Sequence, residues 1–211
     1  MGICYIFGAG DCTETVTPRA GDLIIAADGG IRHLARMGIT PDLFVGDFDS
    51  TPSAEDSPTV LSHPREKDDT DMALALREGE ARGYRDFCLF GGLGGARFDH
   101  SIANLQLLLS AAKRGLRVTL ISENGYTRVL RNGEKLTFSA AARGYVSVFA
   151  MGGAARGVTL SGLKYPLDGA TLTPDCPLGV SNELVGEAAT ISVEDGYLLV
   201  ISKTDEKGEV L

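Results

Sequence analysis

"LFVGDFDST", residues 43–51, is the stretch that best indicates the fold of this chain. An apolar run at 43–45 gives way to Gly46 and then to two aspartates, Asp47 and Asp49. Such a run is typical of a strand in a parallel sheet, because both faces of that strand are buried. Two carboxylates this close repel each other, so the pair either faces water or holds a cation.

The first 123 residues alternate short apolar runs with helical patterns. Strands are predicted at 4–8, 23–27, 43–46, 59–63, 87–91 and 118–122, and helices at 30–38, 69–83 and 99–115. Gly83 and Gly115 stand where helices end in left-handed caps. The alternation predicts an α/β domain over residues 1–123, with a mainly parallel, Rossmann-like sheet and flanking helices.

The helical period disappears after residue 123. Short strand-like segments follow one another, with tight turns at Asn132-Gly133 and Asp195-Gly196. This pattern predicts a smaller, all-β sandwich domain over residues 124–211.

The composition limits which binding partners and which cellular compartment we expect for the protein. The chain has 211 residues and a net charge of −8, and no run of lysine and arginine offers a face to nucleic acid. No apolar run reaches the roughly 18 residues that a membrane span needs, and no signal peptide is expected. The four scattered cysteines include no CxxC pair, so we expect buried, reduced thiols and a cytoplasmic protein.

Acidic and glycine-rich segments follow four of the predicted strands. They are Asp28-Gly29-Gly30, Asp47 with Asp49, Asp69 with Asp71, and "GGLGGARFDH" at 91–100. Carboxyl ends of parallel strands meet at one edge of a sheet, where ligands bind. Carboxylates and phosphates together suit Mg²⁺, while glycine N–H groups and Arg97 suit phosphate. Each segment alone also fits a solvated turn or a helix cap, so it is their convergence that favours a site.

Four longer stretches resemble thiamine pyrophosphokinases. They are "AADGGIRHLARMGITPDLFVGDFDS", "KDDTDMALAL", "GGLGGARFDHSIANLQLL" and "GLKYPL…LGVSNE", in the same order as in that family. The resemblance implies an α/β nucleotide-binding domain followed by a β-sandwich, in a homodimer that holds thiamine between subunits. It also implies transfer of a diphosphoryl group from ATP to the thiamine hydroxyl, with release of AMP.

The resemblance also assigns roles to residues of this chain. It implies Mg²⁺ ligation by Asp47, Asp49 and Asp71, and nucleotide binding by the Asp28-Gly29-Gly30 turn, Arg97, Asp99 and His100. Asp71 is in addition a candidate for orienting the thiamine hydroxyl. Ser181 and Asn182 would hydrogen-bond the aminopyrimidine, and Tyr165 stands where some relatives have a stacking tryptophan. Ala96 separates Arg97 from the glycines, which many relatives do not show.

Three other functions stay open at this point. "DFDST" fits the DxDxT nucleophile motif of haloacid-dehalogenase-like phosphatases, although that motif normally follows the first strand and here it follows the third. A diphosphokinase that acts on a hydroxymethyl-pterin is a second alternative, against which "GVSNE" favours thiamine. A non-catalytic nucleotide or thiamine sensor is the third, but binding alone does not require three carboxylates around one ion.

Overall fold

The computed structural model describes residues 2–46, 60–62, 69–95, 97–206 and 208–210. The chain divides into two compact units. The first comprises Met1–Leu107 and Gly115–Glu123, and the second comprises Leu108–Arg114 and Asn124–Leu211. Asp47 and Asp49 lie outside the described residues.

The described residues of the first unit form six parallel strands. In chain order they are β1 (Cys4–Phe7), β2 (Leu23–Ala27), β3 (Leu43–Gly46), β4 (Val60–Ser62), β5 (Asp86–Phe90) and β6 (Arg117–Ser122). Their spatial order is β6-β5-β1-β2-β3-β4, and every pair within it is parallel. All five residues of β2 are buried, as expected for a strand covered on both faces.

Helices lie on both faces of these strands. They are α1 (Ile31–Met37), α2 (Asp71–Ala81) and α3 (Phe98–Lys113), and a short 3₁₀ turn (Asp28–Gly30) precedes α1. α1 packs Leu34 into a buried cluster with Phe7 of β1. On the other face α2 approaches so closely that a Cβ at Gly79 would lie 2.8 Å from the Cys4 sulfur. Successive side chains of a strand point to opposite faces, so one sheet can bury two different helices.

The described strands of the second unit are all antiparallel. They are β7 (Gly125–Arg131), β8 (Lys135–Phe138), β9 (Gly144–Ala150), β10 (Ala155–Ser161), β11 (Leu167–Leu172), β12 (Gly179–Glu183), β13 (Ala189–Ser192), β14 (Tyr197–Thr204) and β15 (Glu209–Val210). β12, β9, β14 and β7 pair in that order, and β11, β10, β13, β8 and β15 form a separate, smaller sheet. One buried cluster takes residues from both sets of strands, including Phe138 and Val200.

The large sheet differs from the one that the sequence predicts. The expectation of a mainly parallel, Rossmann-like sheet is not confirmed, because the larger sheet is mixed. Among the described residues five strand pairs are parallel and seven are antiparallel, and the parallel ones all lie in the first unit. The protein is therefore mixed α/β, with a large mixed sheet and a smaller antiparallel one. None of its described helices is long and apolar enough to cross a membrane.

Candidate active site

A cleft of about 570 Å³ opens at the carboxyl ends of β1, β2 and β5. It lies within the first unit, and two glycine-rich loops, at 8–10 and 91–95, form much of its lining. The remaining walls carry several polar side chains, namely Asp11, Asp28, Asp69, Thr70, Asp71, Arg97, His100 and Asn104. The cleft thus combines backbone N–H groups, acids and a guanidinium, the groups that bind a metal-chelated phosphate chain.

The two glycine loops are joined to each other. Gly8 N donates to Phe90 O at 2.8 Å, and Gly10 N donates to Gly91 O at 2.9 Å. A Cβ at Gly10 would lie 2.6 Å from Gly91 O, closer than real Cβ atoms come. Glycine is therefore required here for the loops to meet, and their meeting fixes the floor of the cleft.

The turn after β2 places Asp28 at the cleft. Asp28 has a φ of +49°, a left-handed conformation that aspartate tolerates better than most residues. Gly29 and Gly30 are both buried and do not line the cleft. A Cβ at Gly30 would lie 1.8 Å from Phe7 O, so this glycine serves the packing of the turn against β1. Of the three residues of this turn that were predicted to bind nucleotide, only Asp28 lines the cleft.

The start of α2 places two acids, Asp69 and Asp71, at the cleft. The Thr70 hydroxyl caps the helix by accepting from Ala73 N at 3.2 Å. Asp69 accepts two hydrogen bonds from Arg77, at 2.5 and 3.2 Å, so its carboxylate already has a positive partner. Asp71, half-buried, lines the cleft from the first residue of the helix.

Arg97 and Asp99 form a two-point ion pair beside the cleft. Arg97 Nε donates to Asp99 Oδ1 at 3.0 Å, and a terminal nitrogen donates to Oδ2 at 2.7 Å. These hydrogen bonds lower the pKa of Asp99 to about 2. Arg97 and His100 line the cleft, whereas Asp99 does not. The structure thus brings Arg97, His100, Asp28 and Asp71 together around one space.

Three residues that contribute to the cleft were missed by the sequence reasoning. Asp11 Oδ2 accepts from Gly95 N at 2.8 Å, and His33 Nε2 donates to Gly10 O at 2.8 Å. The buried Asn104 donates from Nδ2 to Gly92 O at 2.7 Å. His33 thereby holds the first glycine loop. Asn104 could have been found, because it stands four residues after His100 on the same face of a helix.

Only one of the three metal ligands that the resemblance implies lies among the described residues. Asp71 borders the cleft, while Asp47 and Asp49 fall outside the described part of the chain. Among the described residues, no three acids, histidines or cysteines come close enough together to hold a metal. The donors that face the cleft are carboxylate oxygens, which suit a hard cation.

A second group of predicted residues meets in the second unit. Asn182 Oδ1 accepts from Tyr165 N at 2.9 Å, and its Nδ2 donates to Tyr165 O at 2.7 Å. The Tyr165 side chain is 58% exposed, and the Lys164 ammonium lies 5.6 Å from the centre of its ring. The exposed Ser181 has a left-handed φ of +58°, and its N–H donates to Ser147 Oγ at 3.0 Å.

Comparison with known proteins gives concordant results over almost the whole chain. Residues 18–120 match the family model "Thiamin pyrophosphokinase, catalytic domain", and residues 135–198 match "Thiamin pyrophosphokinase, vitamin B1 binding domain". The thiamine pyrophosphokinase of Bacillus subtilis (strain 168) is 32% identical over 189 residues, which cover 87% of this chain and 88% of the relative.

Solved structures give the same result. A crystal structure of thiamine pyrophosphokinase from Bacillus subtilis superposes with a TM-score of 0.83 at 29% identity, covering 97% of this chain and all of that one. A thiamin pyrophosphokinase family protein from Enterococcus faecalis superposes with a TM-score of 0.81 at 28% identity, covering 98% and 100%.

Proposed function

Because this chain belongs to the thiamine pyrophosphokinase family, we propose that it transfers a diphosphoryl group from ATP to the hydroxyl of thiamine. The hydroxyl oxygen forms a bond to the β-phosphorus, the bond between that phosphorus and the oxygen bridging to the α-phosphate breaks, and AMP leaves. The hydroxyl proton is released as the new bond forms. The observation that carries this proposal is the match of two family models, catalytic and vitamin B1-binding, in tandem along the chain.

The family assignment does not favour the other functions that the sequence left open. Both matched models are those of thiamin pyrophosphokinase, and the curated relative is named for the thiamine reaction, so neither a haloacid-dehalogenase-like phosphatase nor a pterin diphosphokinase is favoured. A sensor without turnover is likewise not favoured, because the matched domain in the first part of the chain is a catalytic one.

For ATP we propose the cleft of the first unit, within a nucleotide-binding domain over residues 1–123. Asp28 and His100 supply polar contacts to the nucleotide, and the two glycine loops, which carry no side chain at most of their positions, let its phosphates approach the backbone closely. Arg97 pairs with the phosphates, for which its planar fork is suited. Asp99 holds the guanidinium in orientation by the two hydrogen bonds described above.

For the metal we propose Mg²⁺, held by Asp71 together with Asp47 and Asp49. The carboxylate oxygens that face the cleft, those of Asp71 among them, fit a hard cation. When bound, Mg²⁺ would neutralise charge on the transferred phosphates and orient them. Asp71 also stands where a carboxylate could orient the attacking hydroxyl.

For thiamine we propose the second domain, residues 124–211. Tyr165 offers an exposed aromatic face to the thiazolium cation, and the hydroxyl of the exposed Ser181 contacts the aminopyrimidine. The left-handed backbone of Ser181 supports this role, because strained residues concentrate at binding sites. We also propose that the protein is a homodimer, as the resemblance to the family implies.

The first test is a product assay with ATP, thiamine and Mg²⁺. Thiamine diphosphate and AMP are expected in equal amounts, because the whole diphosphoryl group is transferred. Chromatography separates AMP from ADP directly, and omission of thiamine gives the background. ADP as the only nucleotide product would exclude diphosphoryl transfer.

The second test is Asp71→Asn, which keeps the size of the side chain and removes its charge. We expect kcat to fall about 10²-fold, because an electrostatic contact to the reacting groups is lost. Asp86→Asn is the matched control, since Asp86 pairs with Arg117 on the surface at the start of β5. If the kcat of Asp71→Asn equals that of Asp86→Asn, Asp71 is not part of the site.

A further inference from the structure

Asn182 uses most of its hydrogen-bonding capacity inside the protein. The residue is 4% exposed, and its Oδ1 accepts from both Tyr165 N and Glu183 N, each at 2.9 Å. Its Nδ2 donates to Tyr165 O at 2.7 Å. An amide oxygen has two lone pairs, so no acceptor capacity remains for a ligand.

The bonds to Tyr165 have the form of a strand pair. Asn182 meets both the N–H and the C=O of one residue, as a neighbouring strand does in an antiparallel ladder. The adjacent residues extend this pairing, because Lys164 N donates to Glu183 O at 3.0 Å and Leu163 bridges to Leu184. Tyr165 is the last residue so held, since Pro166 follows it and has no N–H to donate.

The Tyr165 ring lies at the surface of the second unit, beside Lys164. More than half of the side chain is exposed, and the Lys164 ammonium lies over one side of the ring while pairing with Glu183 Oε1 at 2.8 Å. An exposed aromatic face attracts a flat cation, and the exposure of Tyr165 allows such a contact. The direction of that face depends on the backbone of Tyr165, and Asn182 fixes this backbone.

We propose that Asn182 is a positioning residue that acts on thiamine through Tyr165, rather than by touching the aminopyrimidine. This inference rests on the proposed function, because it takes Tyr165 as a contact of thiamine. It reassigns the second residue of the "SN" pair: Ser181 faces the ligand, and Asn182 builds the surface that the ligand meets.

A double-mutant cycle tests the proposal in the full-length enzyme. Asn182→Ala and Tyr165→Ala are each expected to raise the KM for thiamine about tenfold, the scale of one cation–π contact. The double variant is expected to be no worse than Tyr165→Ala, because a residue that acts through the ring has no effect once the ring is absent. The KM for ATP should stay at the wild-type value throughout.

Asn132→Ala is the matched control. Asn132 also accepts a hydrogen bond from backbone, Gly196 N at 2.7 Å, at an exposed turn of the same unit. Its loss should leave the KM for thiamine unchanged. If Asn182→Ala does not fold, Asn182→Ser replaces it in the cycle, since it keeps a polar side chain and lacks the amide that bonds both the N–H and the C=O of Tyr165.

Two results would overturn the proposal. An additive double variant would mean that Asn182 contacts thiamine directly, and a wild-type KM for thiamine in the Asn182 variant would mean that it has no role. Either result would leave the proposed function intact. A wild-type enzyme that releases no AMP from ATP and thiamine would instead remove the function itself.

Discussion

At the residue scale, Arg97 and Asp99 form an ion pair that orients a cation at the edge of the cleft. The two side chains are both exposed, so solvent screens their attraction, and such pairs contribute little to stability. The pair instead orients the guanidinium, because two parallel hydrogen bonds fix its plane. If Arg97 binds phosphate as proposed, the phosphate would meet a guanidinium whose plane is already fixed by Asp99.

The Arg97–Asp99 pair predicts an acid titration. The pKa of Asp99 lies at about 2, below its ordinary 3.8, so the ionised pair persists at neutral pH and is lost only as the pH falls through about 2. Arg97→Gln should return the pKa of Asp99 toward 3.8, which carboxyl NMR can measure. Asp175 is the internal control, because its pKa is lowered by Thr173 and should not respond to this change. An Asp99 pKa unchanged by Arg97→Gln would contradict the pairing.

The residue types in the sequence predicted which segments meet at the cleft better than they predicted the individual contacts there. The acids after the second strand and at the start of α2 do reach one cleft, as expected for parallel strands. Glycine indicates that something approaches closely but not what approaches, which is why Gly30 faces Phe7 O rather than a ligand. Asn182 shows the same limit, because an amide can serve ligand or backbone and only tertiary structure decides.

At the scale of elements, the local patterns set the bounds of the strands and helices closely. The predicted strands at 23–27 and 43–46 are those of the structure, and the helix expected at 69–83 is Asp71–Ala81. The local patterns did not predict whether neighbouring strands pair in parallel or antiparallel. Apolar runs identify strands by burial, whereas the antiparallel pairs of the larger sheet, such as β14 with β9, join segments far apart in sequence.

The turn between β2 and α1 gives a prediction for one element. Gly30→Ala should destabilise the protein by about 3 kcal/mol, because its Cβ would overlap Phe7 O and force the turn off β1. The cost is steric, since Gly30 has an ordinary helical φ of −60°. Gly133→Ala is the control: its φ is +79°, nothing lies within 4 Å of its Cβ, and about 1 kcal/mol is expected. Urea unfolding that ranked Gly133→Ala as the worse variant would refute this account.

Over the whole molecule, the four thiols differ in burial more than the sequence predicts. All four cysteines are free, in agreement with the absence of paired CxxC spacing. Cys4 and Cys12 are buried and Cys88 is half-buried, but Cys176 is exposed in the segment between β11 and β12. The expectation of buried thiols is confirmed for Cys4 and Cys12, is met only in part for Cys88 and was wrong for Cys176.

The difference in burial among the four thiols predicts the order in which iodoacetamide alkylates them at pH 8. Burial raises the pKa of Cys4 to about 12, so roughly one molecule in ten thousand carries the reactive thiolate there, in a site that reagent does not reach. Cys176 should therefore be labelled first, and Cys176→Ser should remove the fast phase seen by mass spectrometry. Labelling in guanidinium should abolish the differences, because unfolding exposes every thiol. A native protein in which Cys4 reacts as fast as Cys176 would mean that β1 is not buried under α2, and the parallel sheet that carries the cleft would lose its support.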